Sequence, residues 1–230
     1  MKKKGFTLAE VLITLAIIGV VATLTLPALM TNTGEQQAKT ALKKGINTLT
    51  EAAQMNSAIA GFDYNSLTVT THGEEDQSLY SLLASRANID YKLSGTSTDA
   101  SKLVNQGAST NYTIFFRDGS ALTFKEANTT TDTTSGAKKN SELQDDGLPY
   151  GIAAVYDTNG SKGPNLLSNC NKNSALKIGA NTTDVKQAAN KELNEVCTKS
   201  SRVIKDQFGV RLRGSYVVPN GPAARWAFSN

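Results

Sequence analysis

The chain has 230 residues, enough for one long helix and one globular domain of ordinary size. It carries 24 basic and 20 acidic side chains, but without Lys2, Lys3 and Lys4 the balance is 21 to 20, which excludes a general basic surface for nucleic acid. One histidine, two cysteines without C-x-x-C spacing, no G-x-S-x-G and no phosphate-binding glycine loop give no grounds for a zinc site or an enzyme.

Residues Met1 to Met30 read MKKKGFTLAEVLITLAIIGVVATLTLPALM. Three lysines and a glycine precede an apolar run that holds one acid, Glu10. From Val11 to Met30 the only polar residues are Thr14, Thr23 and Thr25. About 20 such residues, at 1.5 Å each, cross the roughly 30 Å hydrocarbon core of a bilayer. A soluble helix of this length would show a polar face, and this one has none. A carboxylate within such a helix costs on the order of 2.5–3.5 kcal/mol on insertion scales and calls for a partner. Its plainer reading is a favourable charge at a helix N-terminus. An ordinary secretory signal has a shorter apolar core, about 7–15 residues, and a simple anchor gives no reason for Gly-Phe followed by Glu.

This order of basic leader, Gly5, Phe6, Glu10 and unbroken apolar run, through Pro27, resembles the N-terminus of type IV pilins and type II secretion pseudopilins. The resemblance implies cleavage after Gly5 by a prepilin peptidase on the cytoplasmic side, and N-methylation of Phe6. It implies that Glu10 neutralises the terminal ammonium of a neighbouring subunit during assembly. The electrostatics agree, because two poorly solvated opposite charges gain most by meeting each other. The implied partners are the peptidase, an inner-membrane assembly platform with its ATPase, and other pilin or pseudopilin subunits. The lysines hold the N-terminus in the cytoplasm. Everything after Met30 is then expected in the periplasm or in an extracellular filament.

The chain divides accordingly into a leader (1–5), a transmembrane and filament-core helix (6–30), an amphipathic continuation (31–61) and an extracytoplasmic globular domain (62–230). Pro27 is expected to kink or loosen the helix, and Thr31-Asn32-Thr33-Gly34 to weaken it further. Helical spacing resumes through Ala38, Ala41, Leu42, Gly45, Ile46, Leu49, Ala52, Ala53 and Ile59, with Gly61 as the stop. That stripe is expected to lie on a sheet.

Downstream, Ser78 is placed to cap a short helix over Leu79 to Arg86. His72 reads as a surface-loop residue. The strongest strand signal is Tyr112 to Lys125, where Asp118-Gly119 joins two aromatic and β-branched runs into a hairpin. Ala127 to Ser141 is a Thr/Ser/Asn/Lys-rich surface tract. Tyr150 to Tyr156 reads as a strand, as do Phe208 to Leu212 and Tyr216 to Val218, separated by Arg213-Gly214. Val185 to Val196 has helical spacing inside an insertion around 166–205. The sum is an α+β, pilin-like fold: a long N-terminal helix packed on a small antiparallel sheet.

Cys170 and Cys197 form an even pair in an extracytoplasmic domain, which predicts a disulfide. Closing a loop of about 27 residues stabilises by roughly 3–4 kcal/mol in the chain-entropy model.

One stretch has the look of a ligand site. In Asp157-Thr-Asn159-Gly-Ser161-Lys-Gly-Pro-Asn165, oxygen side chains alternate around a glycine turn, as in calcium loops, with Asp206 as a second carboxylate if the insertion folds aside. The glycine stands one place too early for an EF-hand, and Ser168 takes the place of its bidentate Glu. The same stretch resembles the C-terminal loop of pseudopilin-like proteins, some of which hold calcium nearby. The competing reading is an Asx turn, in which Asp157 and Asn159 bond to their own backbone.

The function expected from the sequence is a structural subunit of a type II secretion pseudopilus or type IV pilus-like filament. The rival from another class is a single-pass anchored binding module, an adhesin or DNA-uptake receptor, which predicts no cleavage and indifference to Glu10.

Overall fold

In the computed structural model, residues 5–67, 77–94, 111–125, 151–160, 162–163, 165–170, 197–198 and 201–229 are described, without side chains at 27–32, 91–94, 111–112 and 125. The expectations for His72, for the 127–141 tract and for a helix over 185–196 lie outside the described residues. The chain forms two compact units, Met1–Gln37 and Ala38–Asn230.

Helix α1 (Leu8–Ala60) contributes to both units. In the first, Leu8–Leu26 has a mean hydropathy of 2.3 and buries none of its residues. At 1.5 Å per residue these 19 residues span about 28 Å, the thickness of a bilayer's hydrocarbon core. The hydroxyls of Thr14, Thr23 and Thr25 donate back to the carbonyls of Val11, Val20 and Val21, so none presents an unmade hydrogen bond to lipid. Pro27 does not end the element, and nor does Gly34. A proline removes one hydrogen bond from a helix, and α1 runs on through it to Ala60. Gly61, at φ 76°, takes the left-handed conformation that closes the helix after Ala60.

In the second unit Leu42, Ile46, Leu49, Ala52 and Ala53 of α1 are buried in one core with the strands. Six strands make an antiparallel meander in chain order: β1 (Ile89–Ser94), β2 (Asn111–Phe116), β3 (Ala121–Lys125), β4 (Ile152–Asp157), β5 (Gln207–Arg213) and β6 (Tyr216–Pro219). The hairpin expected at Asp118-Gly119 joins β2 to β3. Gly119 sits at φ 88°, and Asp118 Oδ1 accepts from the backbone and hydroxyl of Ser120.

Register assigns the two faces. Ile114, Leu122, Tyr156 and Phe208 are cross-strand partners on the face that shares the core with α1. Phe115, Ala121, Asp157 and Gln207 form the parallel row on the opposite face, and all four are buried. On that face the Thr113 and Thr123 hydroxyls bond to each other at 3.0 Å. Tyr64 is buried too, and its hydroxyl donates to the carbonyl of Leu49 at 2.7 Å, the partner such a group requires.

Ser78 caps α2 (Leu79–Ala84) through a box with Ser81, as the sequence suggested, but the helix stops two residues before the expected Arg86. A last helix, α3 (Pro222–Ser229), opens on a proline and buries Ala223, Ala224 and Ala227. Its Trp226 ring lies 3.9 Å from both Lys39 Nζ and Arg202 Cζ, a pair of cation–π contacts that ties α3 to α1 and to the segment before β5.

Candidate functional site

Two regions carry the residues singled out in the sequence. The first is the N-terminus. Gly5, Phe6 and Thr7 precede α1 in non-helical, exposed backbone, and the Phe6 side chain is 88% exposed. The Gly5–Phe6 peptide bond thus lies in the kind of segment a peptidase can take up. Helix α1 then begins with a capping box. Thr7 is the N-cap and Glu10 the third helical residue. The Thr7 backbone N–H and hydroxyl donate to Glu10 Oε2 at 2.8 and 2.9 Å, and the Glu10 N–H donates to Thr7 Oγ1 at 3.3 Å. Thr7 was passed over in the sequence, although T-x-x-E ahead of an apolar run is the signature of this box.

The second region is the Asp157 loop. Asp157 ends β4, almost fully buried at 1% exposure. Its Oδ1 accepts from the backbone of Asn159 and Gly160 at 3.0 and 2.9 Å, which is the expected Asx turn. Its Oδ2 accepts from Gln207 Nε2 at 2.8 Å, because the β4–β5 register sets the two residues opposite each other. Asp206 is brought to the same loop. Its Oδ2 accepts from the Asn165 backbone at 2.7 Å and from Asn159 Nδ2 at 3.1 Å, and its Oδ1 from the Leu166 backbone at 2.8 Å. Burial pushes the Asp157 carboxyl up to about 7; the charge of Asp206 adds to this, against the hydrogen bonds from Gln207, Asn159 and Gly160.

The fit of a calcium ion can be tested on this donor set. Asn159 Oδ1 and Gln207 Oε1 are buried acceptors with no hydrogen bond among the described residues. A carboxylate offers about four lone-pair positions, and three hydrogen bonds to each leave room on Asp157 and on Asp206. The two carboxylates and two unmatched amide oxygens are the all-oxygen chemistry a hard cation takes, with water completing six to eight ligands. Asp157, Asn159, Asp206 and Gln207 supply the oxygens that would hold it, once the Asn159 and Gln207 carboxamides, whose nitrogens now face the carboxylates, turn their oxygens toward the ion. Below the loop, Cys170 and Cys197 are joined, with Cα atoms 4.9 Å apart, at the neck of the insertion.

None of these residues lines the cavity of about 430 Å³ between α1 and the β2–β3 hairpin. Gly45 on its helical wall leaves room for the Tyr156 ring, which a methyl group there would overlap. Burial pushes the Tyr156 phenol up to about 12. At the rim Lys44 pairs with Asp118 at 3.0 Å. Burial alone would raise the Asp118 carboxyl, but hydrogen bonds from Ser120 and Lys44 outweigh it and hold it below its ordinary value.

Among known protein families, residues 1–26 match the prokaryotic N-terminal methylation motif. No curated protein and no solved structure matches the chain significantly. The matched motif is the prepilin-type signal, and it supports a type IV pilin-like precursor processed by a prepilin peptidase.

Proposed function

We propose that the chain is the precursor of a structural, non-catalytic subunit of a type II secretion pseudopilus or type IV pilus-like filament. The observation that carries the reading is the prepilin-type motif over residues 1–26, set on a helix whose Leu8–Leu26 stretch has a mean hydropathy of 2.3 and holds Glu10 as its single charge. The precursor sits in the inner membrane with its lysines in the cytoplasm and the Ala38–Asn230 unit outside. A prepilin peptidase cuts after Gly5, Phe6 becomes the methylated N-terminus, and a platform and ATPase draw the helix into a filament with related subunits. Glu10 supplies the carboxylate that meets the terminal ammonium of the adjoining subunit, where low dielectric strengthens their attraction.

Mass spectrometry of the N-terminus, with Glu10→Ala incorporation measured in a host that has the machinery, tests this. The expected result is a chain beginning at N-methylated Phe6 and a variant excluded from filaments. An intact Met1 with lysines attached, and a variant that behaves as wild type, would support the anchored binding module instead.

A second reading concerns the Asp157 loop. The unmatched oxygens of Asn159 and Gln207 beside two carboxylates favour calcium there. Calcium in excess over chelator is then expected to raise the melting midpoint, and an unmoved midpoint refutes it.

A further inference from the structure

The hydrogen bonds at the start of α1 divide the Glu10 carboxylate into two unlike halves. Both Thr7 donors converge on Oε2, at 2.8 and 2.9 Å. Among the described residues nothing donates to Oε1. We infer that Thr7 is a positioning residue for assembly: it clamps Glu10 by Oε2 and presents Oε1 to the incoming ammonium of an adjoining copy. This rests on the assembly role proposed for Glu10 above.

Three physical points carry it. A glutamate side chain loses much rotamer freedom when it is fixed, and a partner that must fix it binds more weakly for that reason. Thr7 fixes it within the chain, before any partner arrives. Second, neutral donors leave the carboxylate its full charge, so Oε1 keeps the lone pairs that a charge-assisted hydrogen bond needs. The positive end of the helix dipole would otherwise oppose an approaching cation here, and a carboxylate held at the third helical position offsets it. Third, both donors belong to Thr7. The N–H lies in the Phe6–Thr7 peptide, so cutting the Gly5–Phe6 bond removes neither of them, and the clamp passes intact from precursor to mature subunit.

The alternative is that Thr7 merely caps the helix, and variants separate the two. Glycine at an N-cap costs only a few tenths of a kcal/mol relative to threonine; it keeps the backbone N–H but loses the hydroxyl, so Oε2 is held by one donor instead of two. The full-length chain is produced with a filament assembly system, as wild type, Thr7→Ser, Thr7→Val and Thr7→Gly. Mass spectrometry counts the cleaved, methylated chains, and immunoblotting of sheared filaments against membranes gives the fraction of those mature chains that is incorporated. The serine variant is expected within twofold of wild type, and the valine and glycine variants at about one-fifth or less. Wild-type incorporation of the glycine or valine variant overturns the inference, as does a serine variant that fails with the others. A wild-type chain that is never cleaved, or never enters a filament, sinks the proposed function and this inference together; cleavage and entry with an indifferent Thr7 sink the inference alone.

Discussion

Replacing Asp157 by asparagine is expected to stabilise the protein at pH 8 and to change little at pH 4. Burial, reinforced by the charge of Asp206, raises the carboxyl from an ordinary 3.8 to about 7. Between those values the folded chain keeps a proton that the unfolded chain has released. Stability from this group is therefore fully present below about 3.8 and is lost as pH rises through about 7. At 1.36 kcal/mol per pH decade, the swing is on the order of 4 kcal/mol. Asparagine cannot ionise. Its carbonyl keeps the N–H groups of Asn159 and Gly160, and its amide faces Gln207. Turning the Gln207 carboxamide then gives its unmatched Oε1 a donor. The assay is denaturant unfolding of the full chain in detergent with a chelator, followed by fluorescence of Trp226, the single tryptophan. The quantity read is the stability difference between the two chains at pH 4, 6 and 8. A wild type that gains on the variant as pH rises would refute the reasoning. Calcium in place of chelator should reverse the order at pH 8, since a cation favours the ionised carboxylate.

Gly45→Ala is expected to cost about 1–3 kcal/mol, because its methyl group overlaps the Tyr156 ring on the β4 side, and equilibrium unfolding reads it. Leu49→Ala, at 1% exposure within the core, should cost about 2–5 kcal/mol in the same experiment. Lys44→Ala should change stability by no more than about 0.5 kcal/mol, since the ion pair with Asp118 is exposed on both sides. Replacing both Cys170 and Cys197 by serine should lower stability by about 3–4 kcal/mol, as a closed loop of 27 residues implies. Two alkylatable thiols in the native wild-type protein would contradict that bridge.

What could be read in advance was local. Asp118-Gly119, the Ser78 cap and the Gly61 stop each act within four residues, and each stands where its chemistry placed it. Strand β1 was missed although Ile89, Tyr91 and Leu93 alternate with Asp90, Lys92 and Ser94; the run is short, no turn signature joins it to a neighbour, and it pairs only with β2 at the sheet edge, across an irregularity between Ile89 and Tyr91. Helix α3 is too short for periodicity and buries chiefly alanines, which advertise no apolar face. At the candidate sites the divide is the same. Gly5, Phe6 and Glu10 form a contiguous motif. The partner of Asp157, by contrast, is Gln207, fifty positions away, and only the β4–β5 register brings them together. Thr7 is the exception: it lies three residues before Glu10, and T-x-x-E ahead of an apolar run is a local signal of its own.

The neck of the insertion has a consequence for engineering. Between β4 and β5 the polypeptide leaves and rejoins the sheet at one place. Asp206 holds the amides of Asn165 and Leu166, the backbones of Ser168 and Gln207 bond, Asn169 pairs with Val203, and the cystine lies beyond them. Strand register is thus set on the sheet side of the two sulfurs, and loop-closure entropy grows only slowly with the length of chain that joins them. A foreign epitope grafted between Cys170 and Cys197 should leave the sheet's pairing untouched.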